Sequence, residues 1–283
     1  MTRSQWDRRI GRATELTSSY PFAAEGLHFY TRVATFQQAL YADLAQALAD
    51  SSPAIPAGTL RSELNLPVLL PKFPEFLSAI GQFAPAPLAQ AADDLAQQGS
   101  SGWQRALEDF WYGETESPLG ASDGEDRDNN SSAAPSQQWL AWVFLQPYAE
   151  YLADQRAPVT LHGTPSTCPL CGAKPIVGVL RSKGDGAEKS LVCMLCSHEW
   201  IFRRIYCPAC GEEREPQMAF YSAPEIAHVR VDVCDTCHTY LKSIDLTKMG
   251  LAVPTVDELA AIPLDLWARE HGYEKLQINL LGT

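Results

Sequence analysis

The residues able to do chemistry are concentrated in one stretch, because all 8 cysteines lie between residues 168 and 237. They form four Cys-x-x-Cys pairs: Cys168 with Cys171, Cys193 with Cys196, Cys207 with Cys210, and Cys234 with Cys237. Such a pair at a tight turn directs two thiolates at one ion, and two pairs complete a tetrahedral four-sulfur site. Four pairs therefore predict two complete metal sites.

The chain between the second and third pairs decides part of the ligand grouping. Residues 198–206 are rich in aromatic and β-branched side chains, which favours an extended strand. Extended, this stretch spans roughly 30 Å, whereas sulfurs that share one ion lie only about 4 Å apart. The second and third pairs therefore belong to different sites. We predict that the first pair joins the second and the third joins the fourth; a crossed grouping of first with third and second with fourth stays open.

A β-hairpin is predicted between the two pairs of each site. In the first interval, apolar residues 175–180 and 190–192 flank a polar, glycine-rich turn at 182–189. In the second, residues 218–221 and 226–233 flank a turn at 222–225. This layout is typical of tandem zinc-ribbon or rubredoxin-like modules.

The metals are expected first of all to hold these small modules together. Structural metal binding contributes roughly 10 to 16 kcal/mol in small peptides, which is comparable with the net stability of about 5 to 15 kcal/mol of a whole domain. A redox-active iron or a labile regulatory thiol is the alternative role. Because zinc and rubredoxin-type iron take the same four thiolates, the sequence predicts two metal ions per chain, iron or zinc.

The chain outside the cysteine region reads as helical. Apolar residues at helical spacing predict one long helix from Ala23 to Asp50 and an apolar helix from Trp139 to Leu152, kinked or restarted at Pro147. Shorter helices are predicted near 73–83, 88–97 and 102–112. Near the other end, Thr255 and Glu258 form a capping-box pattern that predicts one helix ending at Gly272, followed by an extended surface tail at 277–283.

Together these elements predict an α+β chain with four parts. An all-α helical domain spans residues 1–157 and contains a disordered loop at 113–138, where apolar residues are scarce. The first rubredoxin-like module spans 158–203 and the second spans 204–248. A C-terminal helix and tail occupy 249–283.

Composition and motifs exclude several classes of function. The net charge of -12, from 34 acidic and 22 basic residues, disfavours nucleic acid and anionic lipid as partners. No export signal or membrane span is visible, and paired thiols fit a reducing cytoplasm. Walker, dinucleotide, Gly-x-Ser-x-Gly and His-Glu-x-x-His signatures are all lacking, so we predict no enzyme. His198 and His238 stand just beyond cysteine pairs, where we expect surrounding or surface groups rather than ligands.

The chain also resembles a known family, the FdhE-like formate dehydrogenase accessory or formation proteins. The residues that carry the resemblance are the four cysteine pairs at their spacings, Leu-Gln-Pro-Tyr-Ala-Glu at 145–150, Cys-Pro-Leu-Cys-Gly-Ala-Lys-Pro at 168–175, Asp-Thr-Cys-His-Thr-Tyr-Leu-Lys at 235–242, and the end segment from Asp257 through Leu264-Asp265-Leu266 to Tyr273. Two features depart from the family: the acidic loop, which looks like an insertion, and Asn279-Leu280, where the family usually reads Asn-Pro.

The resemblance implies a cytoplasmic, non-catalytic maturation factor. Its partner would be the catalytic subunit of a formate dehydrogenase during assembly, with self-association as a further interaction. The family binds iron through its paired cysteines, which implies all eight cysteines here as metal ligands. Two other hypotheses remain: a zinc-ribbon module that binds another protein or nucleic acid, and a metal or thiol redox protein.

Overall fold

The computed structural model describes residues 3–49, 60–113, 134–156 and 163–283. Within these ranges, helices make up the part before the cysteine region, and one sheet followed by two helices makes up the rest. The α-helices of the described residues are α1 (Arg3–Ser19), α2 (Ala24–Ala47), α3 (Leu66–Leu69), α4 (Phe73–Gly81), α5 (Ala86–Gln97), α6 (Gly99–Tyr112), α7 (Pro135–Asp154), α8 (Pro254–Ala260) and α9 (Ile262–Glu270). In these ranges, no helix has both the length and the apolar character needed to cross a bilayer.

Helix α7 is the centre of the helical part. It is apolar on nearly all sides, so it is buried by neighbours on every face, with α2, α4, α5 and α6 packed around it. Rings interlock at these contacts: Phe144 lies 4.7 Å from Phe73 between ring centroids, and Tyr148 lies 5.5 Å from Trp111. The helix continues through Pro147, so the predicted restart does not occur.

Helix α1 was not predicted from the sequence. It packs on α2 and α8 through Trp6, Ala13 and Leu16, all buried. Its other inward residues are Arg9 and Arg12, which are also buried. Because arginines stand where a helical apolar stripe would be expected, the periodicity of this segment does not reveal a buried face.

The sheet has seven strands in the order β3-β2-β1-β6-β5-β4, with β7 paired to β6. The strands are β1 (Pro175–Lys183), β2 (Gly186–Cys193), β3 (Glu199–Phe202), β4 (Met218–Ser222), β5 (Val229–Cys234), β6 (Thr239–Asp245) and β7 (Glu274–Lys275). The predicted hairpins are β1–β2 and β4–β5, and the first turn is tighter than predicted because β2 starts at Gly186.

The two hairpins share one sheet and are not separate bodies. Strand β1 pairs in parallel with β6, with Gly178 opposite Ser243. A Cβ atom on Gly178 would overlap Ser243 Oγ. That hydroxyl cannot move freely, since it is buried and donates a hydrogen bond of 2.6 Å to Asp232, which also pairs with Lys189 at 2.8 Å. Gly178 is therefore required where the two halves of the sheet approach each other.

The C-terminal segment differs from the prediction in three ways. Two helices, α8 and α9, replace the single helix, and the chain between them breaks at Ala261. The N-cap of α8 is Val253, whose backbone N–H donates to Asp257 Oδ2, so the predicted capping box does not form. The tail is not a surface segment, because Gln277 and Asn279 are buried.

A cluster of buried charges explains the burial of the tail. We call it the lysine cluster; it consists of Lys242, Lys275, Glu258, Asp265 and Asn279. Lys242 Nζ lies 3.0 Å from Glu258 and 2.5 Å from Asp265, and Lys275 contacts the same two carboxylates. The amide of Asn279 donates to both oxygens of Glu258. Burial lowers the pKa of Lys242, but the two carboxylates outweigh it and the pKa is raised, which keeps the ammonium charged.

Several boundaries predicted from the sequence stay predictions. Most of the loop at 113–138 lies outside the described residues, and α7 already begins at Pro135. The predicted border between residues 157 and 158 also lies outside them.

The role of Gly178 can be tested by Gly178→Ala. We expect a loss of about 1 to 3 kcal/mol in the free energy of unfolding, because the added methyl forces apart the junction of β1 and β6. Urea unfolding followed by circular dichroism measures it. Gly11→Ala is the matched control, since nothing lies within 4 Å of a Cβ at this helical position, and it should stabilise by about 0.5 to 1 kcal/mol. Equal effects of the two substitutions would contradict the close approach.

Candidate metal centres

The eight cysteines form two separate clusters, and the sequential grouping of their pairs is confirmed. We call them the first centre (Cys168, Cys171, Cys193 and Cys196) and the second centre (Cys207, Cys210, Cys234 and Cys237). Within each centre the four sulfurs lie within 4.8 Å of one another. The crossed grouping is therefore wrong.

Their spacing suits a tetrahedral ion. In the first centre the sulfurs of Cys168 and Cys196 are 3.5 Å apart and those of Cys171 and Cys193 are 3.3 Å apart. In the second, the sulfurs of Cys207 and Cys237 and those of Cys210 and Cys234 are each 3.7 Å apart. Four bonds of about 2.3 Å from a central ion place sulfurs roughly 3.8 Å apart. Four soft thiolates suit zinc or iron. That the eight cysteines are metal ligands stays a prediction.

All four turns share one backbone feature. The residue directly after the second cysteine of each pair has a left-handed conformation, with φ of 75° at Gly172, 52° at Ser197, 77° at Gly211 and 54° at His238. Glycine accepts this conformation without strain, whereas serine and histidine adopt it at a cost. The turn then directs backbone N–H groups toward sulfur, as Leu195 N does to Cys193 at 3.3 Å.

The thiols of the first centre cannot all ionise on their own. Hydrogen bonds from Cys168, Cys193 and Cys196 hold the pKa of the Cys171 thiol well below its usual range. Burial, by contrast, raises the pKa of Cys193. Because four neighbouring thiolates repel one another in this apolar interior, a divalent cation would stabilise them.

Burial separates the two centres sharply. The cysteines of the first centre are 1 to 3% exposed and belong to the main hydrophobic core. In the second centre Cys207 and Cys234 are buried, but Cys210 is exposed and Cys237 is partly exposed. One centre is thus enclosed and the other reaches the surface.

Helix α7 encloses the first centre by binding its second turn. Trp142 Nε1 and Gln146 Nε2 both donate to the carbonyl oxygen of Met194, at 3.2 and 3.1 Å. Met194 follows Cys193 directly. The helix that forms the helical core therefore also fixes the backbone between two cysteines of the first centre.

A buried ion pair ties α1 to the same turn. Arg9 Nη1 lies 3.0 Å from Glu150 Oε1 on α7. The hydroxyl of Ser197 donates to Glu150 at 2.6 Å and accepts from Arg9 at 3.0 Å. The strained conformation of Ser197 is thus balanced by hydrogen bonds that glycine would lack.

A further cation lies near the first centre. Among the described residues, Arg61 donates one hydrogen bond, from Nη1 to the carbonyl of Gly113, while its Nε and Nη2 are buried without a hydrogen-bond partner. Its neighbour Leu60 donates its N–H to Leu170, inside the first cysteine pair. Burial lowers the pKa of Arg61, and the charge of Cys171 and Cys193 opposes that shift. Arg61 is therefore placed to offset the negative charge of a four-thiolate centre.

The second centre is held together at the surface. Glu212 follows the third turn, and its carboxylate accepts hydrogen bonds from Thr236 in the fourth pair at 2.7 Å and from the guanidinium of Arg214. This bridge joins the two turns of the centre from outside. His238 lies beside Tyr273, with ring centroids 6.1 Å apart.

The sequence predicted the grouping of the cysteine pairs but not the residues that hold the cysteine turns in place. Among the described residues, neither His198 nor His238 joins a cysteine cluster. No metal-ligand pattern in the sequence includes Arg9, Arg61 or Glu150. The polar residues in α1 and in the apolar helix α7 were the only indication of Arg9 and Glu150.

Comparison with known proteins divides the cysteine region between residues 204 and 205, so that each matched segment contains one of the two centres. The family description "FdhE, central domain" matches residues 167–204, and "FdhE, C-terminal domain" matches residues 205–281. The crystal structure of the FdhE protein from Pseudomonas aeruginosa superposes with a TM-score of 0.66 at 23% identity, covering 99% of this chain and 96% of that one. The fold is therefore shared along the whole chain.

Curated relatives cover different shares of the molecule. A protein named FdhE homolog from Aquifex aeolicus is 34% identical over 140 residues, which is 49% of this chain and 50% of that protein. The Pseudomonas putida homolog is 28% identical over 223 residues, 68% of each chain. The Shewanella oneidensis homolog is 27% identical over 287 residues, 98% of this chain and 87% of that protein. The matched segment thus spans about half of the Aquifex protein.

Fold and site define a class: a helical protein that carries two four-cysteine clusters on one sheet. Within that class, residues 167–281 match the central and C-terminal domains described for FdhE, and the chain is similar to proteins named FdhE homolog. The resemblance seen in the sequence is confirmed.

Glu150→Gln tests the ion pair that holds the first centre. We expect a loss of about 3 to 5 kcal/mol in the free energy of unfolding, because Arg9 is left as an uncompensated buried charge. Chemical denaturation of the metal-loaded protein measures it. The control is Lys72→Gln, which removes an exposed pair with Asp43 and should cost about 1 kcal/mol or less. Similar losses for both variants would show that the buried pair contributes no more to the free energy of unfolding than an exposed pair does.

Proposed function

We propose that this chain is an accessory factor for the maturation of a formate dehydrogenase. It binds the catalytic subunit of that enzyme in the cytoplasm during assembly and performs no catalysis itself. Two metal ions, iron or zinc, are held by the eight cysteines. The observation that carries the proposal is the pair of four-cysteine clusters within a chain that matches the FdhE central and C-terminal domains.

The metal centres support the role of an adapter by fixing surfaces in place. The first centre joins α7 to the sheet, and the second joins the two outer turns of the sheet. A rigid, preformed surface lowers the ordering cost of binding a partner. An incompletely folded client needs such a surface, because its own binding segments are still mobile.

Strand β3 is the client contact that the geometry favours. Alternation along this edge strand buries Trp200 and Phe202 in the core and leaves Ile201 57% exposed. Beyond the strand, Ile205 is 41% exposed, and Arg203 pairs with Glu213 at 2.8 Å. Exposed aliphatic side chains on a sheet edge are typical of a protein contact surface.

Anaerobic co-purification tests this function. The tagged chain, expressed in its native cytoplasm, should retain a formate dehydrogenase catalytic subunit, identified by mass spectrometry. Ile201→Lys should reduce the recovered subunit at least tenfold, while the metal content stays unchanged. Leu251→Lys is the control, since Leu251 is a more exposed aliphatic residue, 83%, away from β3.

The outcomes separate the hypotheses. Recovery of nucleic acid or ribosomes in place of the subunit would refute the adapter and favour a zinc-ribbon binding module. Recovery that is unaffected by Ile201→Lys would remove β3 as the contact and keep the adapter.

A further inference from the structure

The two four-cysteine centres have the same ligands at similar spacing, yet they differ in access to solvent. We propose that they divide into a permanent centre and an exchangeable one. The first centre keeps its ion for the life of the fold. The second centre takes up and releases a thiophilic divalent cation through Cys210 and Cys237. This inference rests on the proposed metal sites and does not depend on the identity of the client.

Metal release requires a path for an incoming ligand. At the second centre, Cys210 is exposed and Cys237 partly exposed, so a chelator or a thiol approaches from solvent. Cys210 and Cys237 would be the residues that give up an ion held there: an incoming donor would replace each sulfur in turn, and each released thiolate would take a proton from water, with no electron transferred.

At the first centre the same step has no such path. All four sulfurs lie in the hydrophobic core, where each cysteine is 3% exposed or less. Among the described residues, the hydrogen bonds of Trp142 and Gln146 to the carbonyl of Met194 and the Arg9–Glu150 pair hold this turn in place, so an incoming ligand would have to displace them. Because this opening disrupts the junction of α7 with the sheet, it approaches the cost of sub-global unfolding.

The contacts that stabilise the two centres also differ in their exposure to solvent. The first centre is stabilised by a buried ion pair and by two hydrogen bonds from a core helix. The second is bridged by a hydrogen bond from the exposed Thr236 to the partly buried Glu212. Hydrogen bonds in contact with water open readily, since water replaces either partner. The Glu212 bridge therefore sets how fast the two turns separate and free the ion.

Chelator kinetics test the proposal directly. The full chain is loaded with Zn²⁺ and its zinc content is measured. It is then mixed with excess 4-(2-pyridylazo)resorcinol, and absorbance follows the zinc complex. We expect two phases of one equivalent each, differing at least 100-fold in rate. Circular dichroism should show the helical content unchanged after the first phase.

Matched variants assign each phase. Thr236→Val should accelerate only the fast phase, and Glu150→Gln should accelerate only the slow one. Cys210→Ser should abolish the fast phase and leave one slow equivalent. N-ethylmaleimide labelling of the unaltered zinc-loaded chain gives a measure that does not depend on how Cys210→Ser folds. Peptide mapping should find Cys210 and Cys237 modified before any cysteine of the first centre.

Contrary results are distinguishable. One phase of two equivalents, or first labelling at the first centre, would overturn the division of roles. Fewer than two equivalents of zinc in the loaded protein would overturn the assignment of two metal sites on which it rests. Loss of formate dehydrogenase binding, with both phases retained, would affect only the proposed function.

Discussion

The carbonyl oxygen of Met194 is where the helical part and the sheet meet. It accepts hydrogen bonds from two side chains of α7, and it belongs to the turn that carries Cys193 and Cys196. The core helix and the first centre therefore position each other. If α7 shifts, the turn loses its two donors, and if the turn opens, Trp142 loses a partner for its buried N–H. Such mutual dependence makes the junction cooperative.

Buried charges extend this dependence to both ends of the chain. Arg12 of α1 contacts Asp257 at the start of α8, and Asp257 also lies 2.9 Å from the ring of His228. Burial alone would raise the pKa of Asp257, but hydrogen bonds from His228 and Arg12 overcome it and hold that pKa below its ordinary value. This contact joins α1 to α8, and the lysine cluster joins α8, α9 and the C-terminal tail to the sheet. In both groups each buried charge has a partner of opposite charge, and removal of one partner would leave the other buried and uncompensated.

The sequence predicted the local features and the grouping of the cysteine pairs. It did not predict the burial of polar residues whose partners lie far along the chain. The hairpins followed from apolar runs between turn residues, and chain reach alone separated the second cysteine pair from the third. The inward face of α1 was hidden, because Arg9 is buried only through a partner, Glu150, that lies far along the chain. The tail was assigned to the surface for a similar reason, since Asn279 owes its burial to Glu258. The Cys-x-x-Cys spacing also does not predict which of the two centres a helix will cover.

The parallel pairing of β1 with β6 has a geometric consequence for the whole molecule. It joins the hairpins into a row of six strands, in which β3 and β4 form the two ends. At about 4.8 Å between neighbouring strands, these ends lie roughly 24 Å apart. Both end strands are short, with 4 and 5 residues, which limits edge-to-edge aggregation. The sheet thus has two separate edges, and a small domain held at one edge would leave the other free for a second molecule.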